Sequence, residues 1–136
     1  MKRTIRAAAA LCLAACLTLT LCACAKLSLY AMDYGASELY TRSDMDAAAA
    51  VVANRIASFK GCRLHSLRYA GDERSLAELE RLDSGAGYTA CLVLDSSFRS
   101  PVRGGGAWTP NTEYTWSWTL ARRQSGGWEL VNYGYG

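Results

Sequence analysis

Histidine is almost missing from this chain: His65 stands alone among 136 residues. Any Ser-His-Asp machinery would have to run through it, yet no G-x-S-x-G stretch is present and nothing places a particular serine beside it. One histidine in a strand is ordinarily a surface or half-buried residue. No second Cys/His pair follows Cys22 and Cys24 at ligand spacing, so a zinc site is excluded and no metal is expected. The Gly-rich stretch "RGGGAWTPN" has no Gly-Lys-Ser/Thr after it and no helix start, so it is not a phosphate cradle, and no cofactor is implied. An excess of charge is also lacking. Lys2, Arg3 and Arg6 account for the whole net charge of +3, and the rest of the chain is neutral. A clustered basic face, which nucleic-acid binding needs, is therefore absent from the sequence.

What the sequence does have begins at its start. Residues 1–6 are cationic, and Ala7 to Ala25 is an uncharged run rich in Ala and Leu. That is the layout of an export signal: a charged region, an apolar region, then small residues at the cut. Four readings of its end compete. Leu21-Cys22-Ala23-Cys24 has the form of a lipobox, whose last cysteine is lipidated and becomes the mature N-terminus. Leu13-Ala14-Ala15-Cys16 fits that form better by letter but leaves an apolar mature start. Ala23-Cys24-Ala25 also suits ordinary signal peptidase. An uncleaved run of this length would just span a bilayer. Lipidation at Cys24 is the favoured reading, with Cys16 as the alternative. The chain then divides into a signal peptide (1–23), a lipidated N-terminus and tether (24–41), and one domain (42–136) on the extracytoplasmic face of the cell membrane.

The domain opens with a helix signal. Ser43 and Asp46 form a capping-box pattern, and Met45, Ala48, Ala49, Val52, Ile56 and Phe59 recur at helical spacing. Residues 62–70 read as a strand, where Leu64 and Leu67 break strict alternation and suggest a bulge. Ser75 and Glu78 cap a second, short helix carrying Leu76, Leu79 and Leu82 on one face. Tyr88 to Phe98 is a second strand. Thr112 to Arg123 is the clearest of all, because Tyr114, Trp116 and Trp118 alternate with Thr115, Ser117 and Thr119. "QSGG" turns it into a last strand, Trp128 to Tyr133. Helix, strand, helix and a three-strand meander predict an α+β fold. A curved antiparallel sheet of about four strands wraps two helices on one face, in the cystatin or NTF2-like manner.

Two stretches carry a resemblance: "LYTRSDMDAAAAVVANRIASFKGCRLHSLRYAGDE", residues 39–73, and "WTPNTEYTWSWTLARRQSGGWELVNYGYG", residues 108–136. Together they resemble a family of small bacterial lipoproteins, moderately specific in the W-x-W strand and the G-W…G-Y ending. The resemblance implies an envelope location through lipid and a compact exported domain, with no established activity. Family members often carry an Asp in the Gly-rich loop; Arg103-Gly104-Gly105-Gly106 has none, which leaves that loop without a cation ligand.

Few residues are chemical candidates. Asp95, mid-strand between Leu94 and Ser96, could act as a general base if its neighbours are apolar; an arginine partner, Arg68 or Arg122, explains it equally well. Arg99, Arg103 and Trp108 sit on or beside the Gly-rich loop and form a candidate contact set for a partner. The alternative for Trp108 is that it folds back over the sheet edge. Cys62 and Cys91, the only cysteines beyond the processing region, are either a disulfide or two buried thiols. The expected function is thus binding, of an envelope protein or other ligand, by a lipid-anchored module. The rivals are a small NTF2-like pocket enzyme using Asp95 and a purely structural envelope lipoprotein. Intact mass of membrane-extracted protein checks the anchor. Cys24→Ala should abolish lipidation while Cys22→Ala leaves it; an unmodified N-terminus at Lys26 would overturn the lipid assignment.

Overall fold

The alternation of large and small side chains along the two longest strands sets the architecture. In the computed structural model, which describes residues 29–136, β3 (Tyr88–Arg99) and β4 (Glu113–Arg123) pair antiparallel over nearly their whole length. The signal segment, Cys16 and Cys24 lie outside the described residues. On one face stand Leu92, Leu94 and Phe98 from β3 with Trp118 and Leu120 from β4, all fully buried. Strand side chains alternate between faces, so the intervening residues project to the other side. Asp95, Ser97 and Arg99 therefore share the second face with Glu113, Thr115 and Ser117.

Helix α1 (Arg42–Ala57) covers the first face with the buried stripe Met45, Ala48, Ala49, Val52 and Ile56, as its periodicity predicts. Its start lies two residues before the expected one. Thr41 is the N-cap, and its side chain and that of Asp44 satisfy each other's backbone N–H groups in a capping box. Asp44 also accepts from Arg122 (2.8 Å), whose guanidinium lies 4.5 Å over the Trp128 ring, so helix start and strand end are tied together.

Strand β2 (Arg63–Tyr69) pairs antiparallel with β3, and its register slips between Leu64 and Ser66, where the bulge was expected. The sheet has five strands in the order β1-β2-β3-β4-β5, not four. Strand β5 (Glu129–Gly134) closes the meander, and β1 (Ala31–Asp33) pairs parallel with β2. The tether reading therefore fails for this stretch. Tyr40 belongs to the domain as well, packing against the core and donating its hydroxyl to the Cys91 carbonyl (2.6 Å).

Helix α2 (Asp72–Arg81) departs furthest from expectation. Its N-cap is Gly71, at φ 104°, rather than Ser75. Ser75 instead sits inside the helix, fully buried, and its hydroxyl accepts the Val93 N–H (3.2 Å). Beyond the end of β2, that amide would have no strand partner; the serine supplies one. Helix α2 thus lies along β3 where β2 stops, while its Arg74 reaches Asp95 and Ser117 on the second face. The two helices do not share one face. Leu76 of the expected apolar stripe is 47% exposed, since Ser75 rather than the leucines meets the strand edge.

Both described cysteines are free thiols. Cys62 adjoins the end of β2 that pairs with Arg99, and Cys91 lies towards the opposite end of β3. At about 3.3 Å per residue they are roughly 25 Å apart, far beyond the ~7 Å that a disulfide tolerates. The expected Cys62–Cys91 bridge is therefore wrong. Burial, with some help from Glu78, pushes the Cys91 thiol up to about 12. In the native protein an alkylating reagent should label half-buried Cys62 slowly and leave Cys91 intact. Both should react without reductant after unfolding, as peptide mapping will read; protection of both in denaturant would contradict the free-thiol assignment.

Candidate functional site

Strand register arranges the second face in rows, one residue from each strand. Arg68, Asp95 and Ser117 lie side by side across β2, β3 and β4; so do Ser66, Ser97 and Thr115, and then Arg63, Arg99 and Glu113. Directly opposed side chains interact most strongly in a sheet. The first row closes its own polar contacts, whereas Ser97 of the second reaches across to Glu113 in the third.

Asp95 is the centre of the first row. Its Oδ1 accepts from Arg74 Nη1 (3.0 Å) and Ser117 Oγ (2.6 Å), and its Oδ2 from Arg68 Nη2 (3.3 Å). Arg74 Nη2 also donates to Ser117 Oγ (2.8 Å), which closes a ring of contacts. Of the two expected arginine partners, Arg68 is present and Arg122 is not. Arg122 opposes Ala90 and projects to the α1 side, one residue out of phase with Asp95. Arg74 was missed. Nothing in the spacing of a short helix announces that one of its arginines will lean across a sheet. The carboxylate's neighbours are donors rather than apolar groups, so the environment imagined for a general base is absent.

Glu113 is the centre of another cluster. Its Oε1 accepts from Ser97 Oγ and lies 2.9 Å from His65 Nδ1, and its Oε2 lies 3.3 Å from Arg99 Nε. The carboxylate stands between the serine and the histidine. In a Ser-His-Asp triad the imidazole must stand between them to take the serine's proton. His65 is therefore not placed as the base of such a triad.

Over the Asp95 and Ser97 rows lies a cleft of about 630 Å³. Its floor is the polar face itself, including Arg68, Asp95, Ser97, Thr115 and Ser117. Arg74 stands on one side and β1 on another, and the chain at Tyr135 and Gly136 borders a third, with Gly136 against Ser117 and Arg74. Such a volume falls within the range of about 300–1,000 Å³ usual for small-molecule sites. Among the described residues, no cluster of His, Cys, Asp or Glu is arranged to hold a metal ion.

The set Arg99, Arg103 and Trp108 does not converge. Arg99 is occupied by Glu113 and by Asn111 Oδ1 (3.2 Å), and Arg103 is exposed on the loop. Trp108 folds back. Its ring packs on Phe59, Phe98, Tyr114 and Trp116, with centroids 5.1–5.8 Å away. The loop beneath it is tied down by Asn111 N–H to Pro101 O (2.8 Å) and Trp108 N–H to Gly105 O (3.1 Å). Gly104 is required there: at φ 67°, an added Cβ would lie 2.9 Å from the Trp108 carbonyl oxygen.

No family model matches the chain, and neither the curated proteins nor the solved structures contain a match.

The Ser97 hydroxyl, followed by His65 and Arg99, holds the Glu113 carboxyl below its ordinary value of 4.5. A carboxyl lowered on folding stabilises the protein above its unfolded value, and that contribution is lost as pH falls through the folded value. Glu113→Gln should therefore cost less than about 1 kcal/mol at pH 7. Melting curves should show the deficit shrinking as pH falls below 4.5 and through the lowered folded value. A deficit that grows on acidification would contradict this arrangement.

Proposed function

We propose that this chain is an extracytoplasmic binding module of the bacterial envelope, held to the cell membrane by lipid on Cys24, and that it binds through the polar cleft. The observation that carries the binding part is the cleft over the Asp95 row. A built network of charged and hydroxyl groups, 24% exposed at the Asp95 side chain, faces solvent on a rigid sheet. The Gly-rich loop, which the sequence favoured, serves instead as a cover for the aromatic end of the core. Envelope anchoring is supported by the signal-like start, a cationic segment at residues 1–6 followed by the uncharged run to Ala25 with its lipobox-like end. In the same reading the fold belongs with the cystatin or NTF2-like sheets. One long helix lies on a mostly antiparallel sheet whose register slips at three places, the kind of irregularity that bends strands.

A second reading keeps one specific support: Asp95 does line a cleft of several hundred Å³, as a pocket enzyme would require. Against it, three donors already engage both carboxylate oxygens, leaving none directed at a substrate. The two readings separate in one assay. Purified full-length chain is mixed with fractions of envelope extract, and its melting temperature is followed, since a ligand of the native state raises it. Thr115→Trp, an exposed position on the cleft floor, should fold normally and lose the shift. Conversion of a fraction by wild type but not by Asp95→Asn would establish the enzyme instead. If no fraction moves the melting temperature, the binding reading fails.

A further inference from the structure

The cations of the domain are scattered in its sequence, and the fold sorts them. Arg63 opens β2 and pairs in register with Arg99, the last residue of β3. Lys60 stands at the same end, because Pro101 packs on Gly61, where an added Cβ would lie 2.9 Å from the Pro101 Cγ. Arg103 follows Pro101 by two residues on the Gly-rich loop. Of these four, Arg99 alone is met by a carboxylate among the described residues, that of Glu113. Lys60, Arg63 and Arg103 are exposed and unpaired there. The opposite end, by the start of β3 and the end of β4, is different. Its Arg81, Arg122 and Arg123 are each paired, with Glu78, Asp44 and Glu129.

The end with unpaired cations also shows apolar side chains to solvent. Val102 is 76% exposed, between Pro101 and Arg103, and Leu29 is 89% exposed. Leu29 belongs to this end because β1 runs parallel to β2 with Ala31 beside Ser66, and it shares an apolar groove with Cys62, Arg63 and Leu64. Apolar tips among free Lys and Arg suit a bilayer surface: the tips enter the headgroup boundary and the cations meet anionic lipid. The chain also reaches its anchor from here. Resting on lipidation at Cys24, the five peptide steps from Cys24 to Leu29 span at most about 18 Å at full extension. A domain held so closely must turn one end to the bilayer, and the entry point at Leu29 selects this one. We infer that the domain docks this end, through Lys60, Arg63, Val102, Arg103 and Leu29, on an anionic phospholipid surface. The Asp95 and Ser97 rows lie further along the strands, so the cleft stays open to solvent above the headgroups.

The lipidated protein extracted from membranes tests this after reconstitution into vesicles of phosphatidylcholine, alone or mixed with phosphatidylglycerol. Both kinds carry a photoactivatable phospholipid whose adducts are located by peptide mapping. In the anionic vesicles, adducts should fall on residues 101–103 and on Leu29, and not on the exposed turn at residues 124–127. Reversing two cations together, Arg63→Glu with Arg103→Glu, should lower that yield about tenfold or more, since each cation near such a surface is worth about fivefold in partition. The melting temperature should not move, because both side chains are exposed. High salt should lower the yield of the unaltered protein in the same way. Equal adducts at the two stretches, adducts at neither, or a yield unmoved by both charge reversal and salt would overturn the docking end while leaving the anchor in place. Intact mass of the same sample reads the anchor separately: an unlipidated N-terminus removes the tether, and the proposal fails with it.

Discussion

Everything in this molecule depends on the register between β3 and β4. Leu94 faces Trp118 and Asp95 faces Ser117, so a hydrophobic pair and a polar pair succeed one another along the same two strands. A slip of one residue would exchange the faces, burying carboxylates under α1 and exposing the tryptophans. The cost of such a slip is what fixes the pairing. Trp118 is its clearest anchor, fully buried, stacked on Tyr133 with centroids 5.0 Å apart, and donating its Nε1–H to Ser96 Oγ (2.7 Å). Removing a ring of that kind from a core costs about 3–5 kcal/mol, a large share of the 5–15 kcal/mol that holds a typical domain together.

From that register the division of labour follows. The first face, covered by α1 and by Trp108 folding back from the loop, is a sealed aromatic and aliphatic core. The second face is partly closed by α2 and left open where the serines and threonines stand. Helix α2 joins the two, because Ser75 completes the backbone pairing of β3 while Arg74 completes the Asp95 row. One helical turn thus serves both stability and the cleft. The polar contacts of the open face contribute little to folding individually, since exposed ion pairs are worth about 0–1 kcal/mol. Their effect is to hold the surface in one shape.

Legibility in the sequence tracks the strength of each local pattern. Strands β3 and β4 and helix α1 carry long, regular periodicities, and their limits fall within a residue or two of expectation. The bulge in β2 was visible because a broken alternation has few other causes. Strand β1 was hidden, being three residues long, "AMD", with no alternation; it is a strand only because β2 offers it an edge. The helix caps differ from the expected Ser43 and Ser75, since Thr41 stands two residues before the first and Gly71, with no side chain to signal a cap, four before the second. For Trp108 the Gly-rich surroundings leave two readings open, a partner contact and a fold back over the sheet edge, and the structure has the second. The burial of Trp108 comes from long-range packing on Phe59 and Phe98, which no local pattern encodes. Asp95 was singled out correctly as the charged residue inside a strand. The face it occupies follows from parity alone: odd positions of β3 share a side with odd positions of β4, and Arg122 is even. That step was available in the sequence. The approach of Arg74 was not, because it depends on where a neighbouring helix comes to rest.

The division of the sheet into a sealed face and an open one is open to direct measurement by thiol labelling at two engineered positions. In the native full-length chain, Thr115→Cys should react at the rate of an exposed thiol, whereas Leu94→Cys, one strand away on the other face, should react only through global unfolding. Peptide mapping distinguishes them from the natural cysteines. Equal rates at the two positions, fast or slow, would contradict the account.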